Sequence, residues 1–246
     1  SIYEGSGGLW LGTYGAGLVK YLNGKFTTFT TADGLPGDDV RSICEDSGGT
    51  LWIGTHDGGL ASYQNGSFKR YGGLSSNLIL RLIAKDDALW IGTAKGGLNR
   101  FSNGRFESLN STDGLPSDTV GALVFDGEGN LWLGAIGALC ALRDGHFTTY
   151  TTREGLPFDI VCLLTPARQG GLWIGTFGGG LSRYHNGVFR SYTEKDGLAS
   201  SQINSLLEDR EGRLWIGTYD AGLLSFDGKR FTRYKEISSK TIIALF

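Results

Sequence analysis

Apolar residues in this chain come in short runs broken by glycine. Between Val40 and Tyr71 the runs are "VRSICED", "LWIGT", "LASYQ" and "FKRY". None keeps the three-to-four spacing of an amphipathic helix, and their Val, Ile, Leu and aromatic content reads as four short strands. The same four runs return along the whole chain. Their tryptophans, Trp10, Trp52, Trp90, Trp132, Trp173 and Trp215, are spaced 42, 38, 42, 41 and 42 residues apart. Periods near forty mark propellers or helical arrays, and the strand pattern excludes the second. Between the third and fourth runs each unit places Asn-Gly or Asp-Gly, at Asn23, Asn65, Asn103, Asp144, Asn186 and Asp227. That dipeptide suits a type I′ hairpin, whose two central residues need positive φ.

A four-stranded sheet of this kind has apolar side chains on both faces, so neighbouring sheets must cover them. The distance from Trp215 through the C-terminus and back from the N-terminus to Trp10 is 41 residues, one further repeat. The C-terminal "SSKTIIALF" (Ser238 to Phe246) resembles "SDTVGALVF" (Ser117 to Phe125), the first strand of another unit. The expectation is an all-β, six-bladed β-propeller of four-stranded antiparallel blades, a single domain over residues 1–246. The C-terminal strand would complete the first blade and close the ring, leaving no free sheet edges. Ile2 to Glu4 is the other segment that fits this strand.

The stretch "DGLPGDDVRSICEDSGGTLWIGTHDGGLASYQNGSFKRY" resembles the two-component regulator propeller repeat, with its DGLP, ED, LWIGT, GGL and NG. The resemblance covers essentially the whole chain. It implies a non-enzymatic ligand-binding sensor ring, like the periplasmic or extracellular parts of bacterial hybrid histidine kinases, many of which respond to oligosaccharides. The implied partners are a small-molecule or oligosaccharide ligand and a signalling domain or second copy of the protein. The Ig-like domain, membrane helix and kinase that accompany such sensors are not in this sequence.

Composition narrows the alternatives. The 41 glycines mark a chain that turns often, and 40% hydrophobic residues suffice for a sizeable core. With 23 Lys and Arg against 25 Asp and Glu and no run of like charge, nucleic acid and anionic membrane are poor partners. No apolar run is long enough to cross a bilayer. Cys44, Cys140 and Cys162 have no paired spacing and read as core residues. His56, His146 and His185 lie in different units, so neither a metal site nor a cofactor is called for, and no nucleophile with a base and acid stands out.

The repeated residues serve the scaffold. The tryptophans are wedges between blades, and the Asp of "EDSGGTLW", "FDGEGNLW" and "EDREGRLW" caps its own hairpin. Function is therefore sought where the repeats differ on one face of the ring. The loop from strand two to strand three presents Tyr14, His56, Ala94, Ile136, Phe177 and Tyr219 at its first variable position. Gly15, Asp57, Lys95, Gly178 and Asp220 follow at the second. Asp39, Asn77, Asp118, Asp159 and Gln202 precede the first strands. Aromatics beside carboxylates, amides and an ammonium suit a sugar, whose ring stacks while its hydroxyls bond. The ligand-binding candidates are thus Tyr14, His56, Asp57, Asn77, Lys95, Asp118, Asp159, Phe177, Gln202, Tyr219 and Asp220. A protein-interaction platform, a scaffold without a ligand, and a carbohydrate-active lyase or hydrolase using the carboxylates are the alternatives.

Overall fold

The strand runs pair as their sequence suggests. The computed structural model describes residues 1–5 and 7–245 and holds six four-stranded antiparallel sheets, each built from four consecutive strands in chain order. These are the blades of a six-bladed β-propeller. Blade two runs Val40–Glu45, Leu51–Thr55, Leu60–Gln64 and Ser67–Tyr71, within a residue of the expected limits. The chain divides into two compact units, Ser1–Val120 and Gly121–Phe246. Blades one to three fall in the first and the strands of blades five and six in the second.

Five of the six Asn-Gly or Asp-Gly hairpins have positive φ at both residues, as at Asn65 (52°) and Gly66 (83°), the requirement of a type I′ turn. The sixth differs. Only Gly228 has positive φ, because the Asp227 carboxylate accepts from the Lys229 and Arg230 amides and holds a longer Asx turn.

Within each unit the tryptophan of one blade packs on the strands of the next. Trp10 is grouped with Leu51 and Ile53, Trp52 with Leu82, Leu89 and Ile91, Trp132 with Leu172 and Ile174, and Trp173 with Leu214 and Ile216. Four of the wedges are also tied at the indole nitrogen, Trp173 by donating to Glu208 of the next blade at 3.1 Å. Trp52, Trp132 and Trp215 donate to Asp46, Asp126 and Asp209 at 2.8, 2.7 and 2.8 Å. The other oxygen of each carboxylate accepts two backbone amides of its own hairpin, which is the capping role expected for these residues. Desolvation pushes the Asp126 pKa up, but the bonds from Asn130, Trp132 and the hairpin amides outweigh it and leave the pKa below 3.8.

The glycine of "LWIGT" is there because the next blade leaves no room. A Cβ on Gly54 would lie 2.5 Å from Ile79 Cγ2, and one on Gly134 would lie 2.7 Å from Val161 Cγ1. Leu35, Leu115, Leu156 and Leu198 of the "DGL" crossovers are buried. Each follows a one-turn 3-10 segment held by a capping box, as at Thr30 and Asp33.

The expected closure by the C-terminal strand is not what forms. Blade one takes its first strand from the N-terminus, where Ile2–Gly5 pairs with Gly8–Gly12 in the register Ile2 to Leu11 through Gly5 to Gly8. A tight local hairpin costs far less loop entropy than joining the two chain ends. Residues 238–245 form no strand, and Phe246 of that expectation lies outside the described residues. Lys240 and Ile242 instead dock on blade six, with Gly222 N–H donating to Lys240 O at 2.7 Å and Ile242 N–H to Thr218 O at 2.9 Å. Asp38 and Val40 make the same two bonds to Gly17 and Thr13 of blade one, both at 2.9 Å. Among the described residues no helix is long and apolar enough to cross a membrane.

Candidate functional site

The threonine that ends "LWIGT" builds the loop between strands two and three. Thr55 Oγ1 donates to Gly59 O at 3.0 Å and accepts from Gly58 N–H at 3.1 Å. Thr13, Thr93, Thr176 and Thr218 likewise donate across their own loops. With the loop base locked, the next two residues are held outward.

In the first unit these residues are polar except for Gly15 and Ala94. Tyr14 is 82% exposed, and the Arg41 guanidinium lies 5.3 Å from its ring centroid. Arg41 donates to Asp39 at 2.9 Å, so Tyr14, Arg41 and Asp39 form one cluster. His56 joins it through its backbone, donating to Asp39 O at 2.9 Å, and its buried Nδ1 has no hydrogen-bond partner among the described residues. Asp57 and Lys95 are exposed. Lys95 has φ 66°, a left-handed conformation in which Gly15 sits in blade one (φ 81°) and which a long side chain seldom adopts.

In the second unit the row is apolar and its backbone is continuous. Ile136 pairs with Ile160, and Phe177 with Gln202, as isolated antiparallel bridges. Phe177 N–H donates to Ile160 O at 3.2 Å and Tyr219 N–H to Gln202 O at 3.1 Å. Ile136, Ile160, Phe177 and Tyr219 are 54%, 38%, 49% and 56% exposed. Phe158, also exposed, covers Gly178 and Gly179. The Gln202 side-chain amide is bonded by no described residue, and Asp220 stands exposed beside Tyr219.

The residues preceding the first strands separate into two kinds. Asp118 accepts from the Ser111 amide at 2.7 Å and Asp159 from the Thr152 amide at 3.3 Å, so both carboxylates lock their crossovers. Asp38, not Asp39, is their counterpart, accepting from the Thr31 amide at 2.8 Å. Asn77 takes the same place, its side chain lying against Gly59. Loop-facing positions fall one residue later, at Asp39, Leu78, Thr119, Ile160 and Gln202. A one-residue slip flips a side chain to the other face, and the slip hides in the sequence because Asp38 and Asp39 are both aspartate.

Sequence reasoning therefore passed over Phe158, Ile160, Arg41 and Arg81. The last two lie inside apolar first strands, Val40–Glu45 and Ile79–Lys85, where an arginine is itself the signal. No group of three or more His, Cys, Asp or Glu is placed to hold a metal among the described residues.

The sequence pattern of the two component regulator propeller matches residues 34–57, 114–137 and 197–220. Those three segments are two-component regulator propeller repeats. Among solved structures, this repeat propeller is similar to the extracellular domain of the hybrid two component system BT3049 from B. thetaiotaomicron, with 24% identity and a TM-score of 0.86 over 99% of this chain and 35% of that one. The extracellular domain of BT4673 from the same organism follows at 19% identity and a TM-score of 0.83, over 100% of this chain and 37% of that one. The chain thus spans about a third of the length of these domains. Virginiamycin B lyase from Staphylococcus aureus is more distant, at 14% identity and a TM-score of 0.67 over 79% of this chain and 69% of that one. At these identities the likeness is one of fold. No curated protein matches the sequence.

Proposed function

We propose that this repeat propeller is the non-enzymatic, ligand-reading part of a two-component sensor, periplasmic or extracellular, and that its loop face binds an oligosaccharide. The supporting observation is the bonded row Ile136, Ile160, Phe177, Gln202 and Tyr219. It sets two half-exposed aromatic rings on a backbone that cannot shift independently, with a free amide between them. Aromatic faces take the apolar side of a sugar ring, while Gln202 and Asp220 suit its hydroxyls. Rigid placement lowers the ordering cost of binding. Tyr14, His56, Asp57 and Lys95 hold the corresponding loop positions of the first unit.

A polypeptide partner is the second reading, favoured by Ile136 and Ile160, which offer a ligand no hydrogen-bonding side chain. A screen of neutral oligosaccharides by isothermal titration, repeated on the Phe177→Ala/Tyr219→Ala variant, tests the first reading. Binding that is lost in the variant supports it. Sugars bound equally well by both proteins would overturn the row as the site.

A further inference from the structure

The loop between strands two and three of blade four differs from the other five. It holds four residues between Gly134 and Leu139, where blade two has five between Gly54 and Leu60, and Ala135 stands where the other loops carry their locking threonine. The shortening opens space. Gly137 N–H donates to Asp159 O at 2.8 Å, as Gly17 does to Asp38 O and Gly97 to Asp118 O. A Cβ on Gly17 or Gly97 would collide with the carbonyl of Phe29 or Leu109, whereas one on Gly137 would meet nothing within 4 Å. An open cavity of about 390 Å³ lies here, and its walls include Thr152, Arg153, Glu154 and Asp159. Asp159 is also the most loosely held of the crossover aspartates. Its bond from the Thr152 amide is 3.3 Å, against 2.8 Å at Asp38 and 2.7 Å at Asp118. Asp38 Oδ2 and Asp118 Oδ2 each accept from a hydroxyl, that of Thr31 or Ser111. Asp159 Oδ2 and the Arg153 guanidinium are bonded by no described residue. A free acceptor and a free donor fork thus share one cavity.

We propose that this cavity binds one neutral pyranose unit through two adjacent hydroxyls, and that it holds that unit of an oligosaccharide at the end of the apolar row. The second step rests on the oligosaccharide reading above; the pyranose site itself does not. A hydroxyl both donates and accepts. One hydroxyl of the pair donates to Asp159 Oδ2 while its neighbour accepts from Arg153, and both bonds are assisted by charge. Charge also selects against other sugars. A sugar carboxylate would face Asp159 and Glu154, and a sugar ammonium would face Arg153. The Glu154 carboxylate is held in place by the Thr151 amide and hydroxyl at 2.7 and 2.8 Å. The link to the row runs through the backbone. Ile136 and Ile160, which form the first bridge of the row, are the chain neighbours of Gly137 and Asp159. The Gly137 to Asp159 bond is thus the adjoining rung, and a sugar held over it sits on the same fixed backbone as the row.

NMR titration of the whole chain with the methyl glycosides of D-glucose, D-galactose and D-mannose at millimolar concentration tests the site. At least one should move the Gly137 and Thr152 amide signals together. Its fully O-methylated form, which keeps the ring but has no hydroxyl to donate, should leave them in place. The uronate and the amino sugar of the same configuration should bind more weakly. Arg153→Gln and Asp159→Asn should each weaken the glycoside about tenfold. Arg153 is exposed, and asparagine already holds the place of Asp159 in blade three, at Asn77; should Asp159→Asn disturb the crossover, Arg153→Gln still decides. Phe177→Ala/Tyr219→Ala should leave glycoside binding unchanged. No shift with any of the three glycosides, tighter binding of the uronate or the amino sugar, or Arg153→Gln matching the parent protein would each overturn the proposal. An oligosaccharide that needs Phe177 and Tyr219 but leaves the Gly137 signal in place would sink the cavity and spare the row. Glycosides that move Gly137, with no oligosaccharide sensitive to the Phe177 and Tyr219 changes, would spare the cavity and sink the row.

Discussion

Tyr14 and Tyr219 hold the same place in their repeats, the residue after the loop-locking threonine, but their neighbours differ in kind. Arg41 lies over the Tyr14 ring and is itself bonded to Asp39. The Tyr219 amide is bonded to Gln202, which bridges in turn to Phe177. Both loops are locked by the same threonine bond, 2.7 Å at Thr13 and 2.8 Å at Thr218. One scaffold thus carries a charged loop face in the first unit and an apolar one in the second. The blade interior is insulated from the loop sequence because each loop satisfies its own backbone groups at its base.

If the scaffold is common, removing a wedge should be equally damaging in either unit. Trp52→Ala and Trp132→Ala should each cost about 3–5 kcal/mol in urea unfolding. These side chains are 6% and 2% exposed, and each substitution also strands an aspartate that its indole had bonded. A large difference between the two would break the equivalence.

Substitutions on the loop faces should leave the scaffold alone. Phe177→Ala/Tyr219→Ala should weaken a neutral oligosaccharide about tenfold, or about 1.4 kcal/mol, while the melting temperature barely moves, because both rings are about half exposed. A clear drop in melting temperature would mean that the row belongs to the scaffold after all.

Acid sensitivity sharpens the comparison at the hairpin caps. The Asp126 pKa lies below its ordinary 3.8, so its stabilising effect is full above that pH and is lost as the pH falls through the depressed folded value. Asp126→Asn should remove this share of the acid transition and cost about 1 kcal/mol at neutral pH, a small figure because water still reaches the carboxylate. Circular dichroism across pH 2–7 reads both effects. The smallest change expected is at Lys95, where replacing a left-handed lysine by glycine should gain at most about 1 kcal/mol in urea unfolding. A loss would show that the Lys95 side chain stabilises its loop.

The repeat period, the four strands of each blade, the Asn-Gly turns and the capping aspartates were legible in the sequence, because each depends on residues a few positions apart. Asp227 was misread as a type I′ position only because aspartate serves both that turn and the Asx turn. The candidate site was legible in part. Tyr14, Ile136, Phe177 and Tyr219 stood out as variable residues on invariant loops. Asp118 and Asp159 looked equivalent to Asp39 until their bonds to the crossovers placed them one position earlier.

The sequence by itself determined the blade and its number, since local turn chemistry and strand periodicity leave little choice. Tertiary structure alone decided which segment supplies the first strand of blade one and which loop residues join through the backbone into a row. Those outcomes depend on residues far apart in the chain meeting in space, and no spacing along one repeat encodes them.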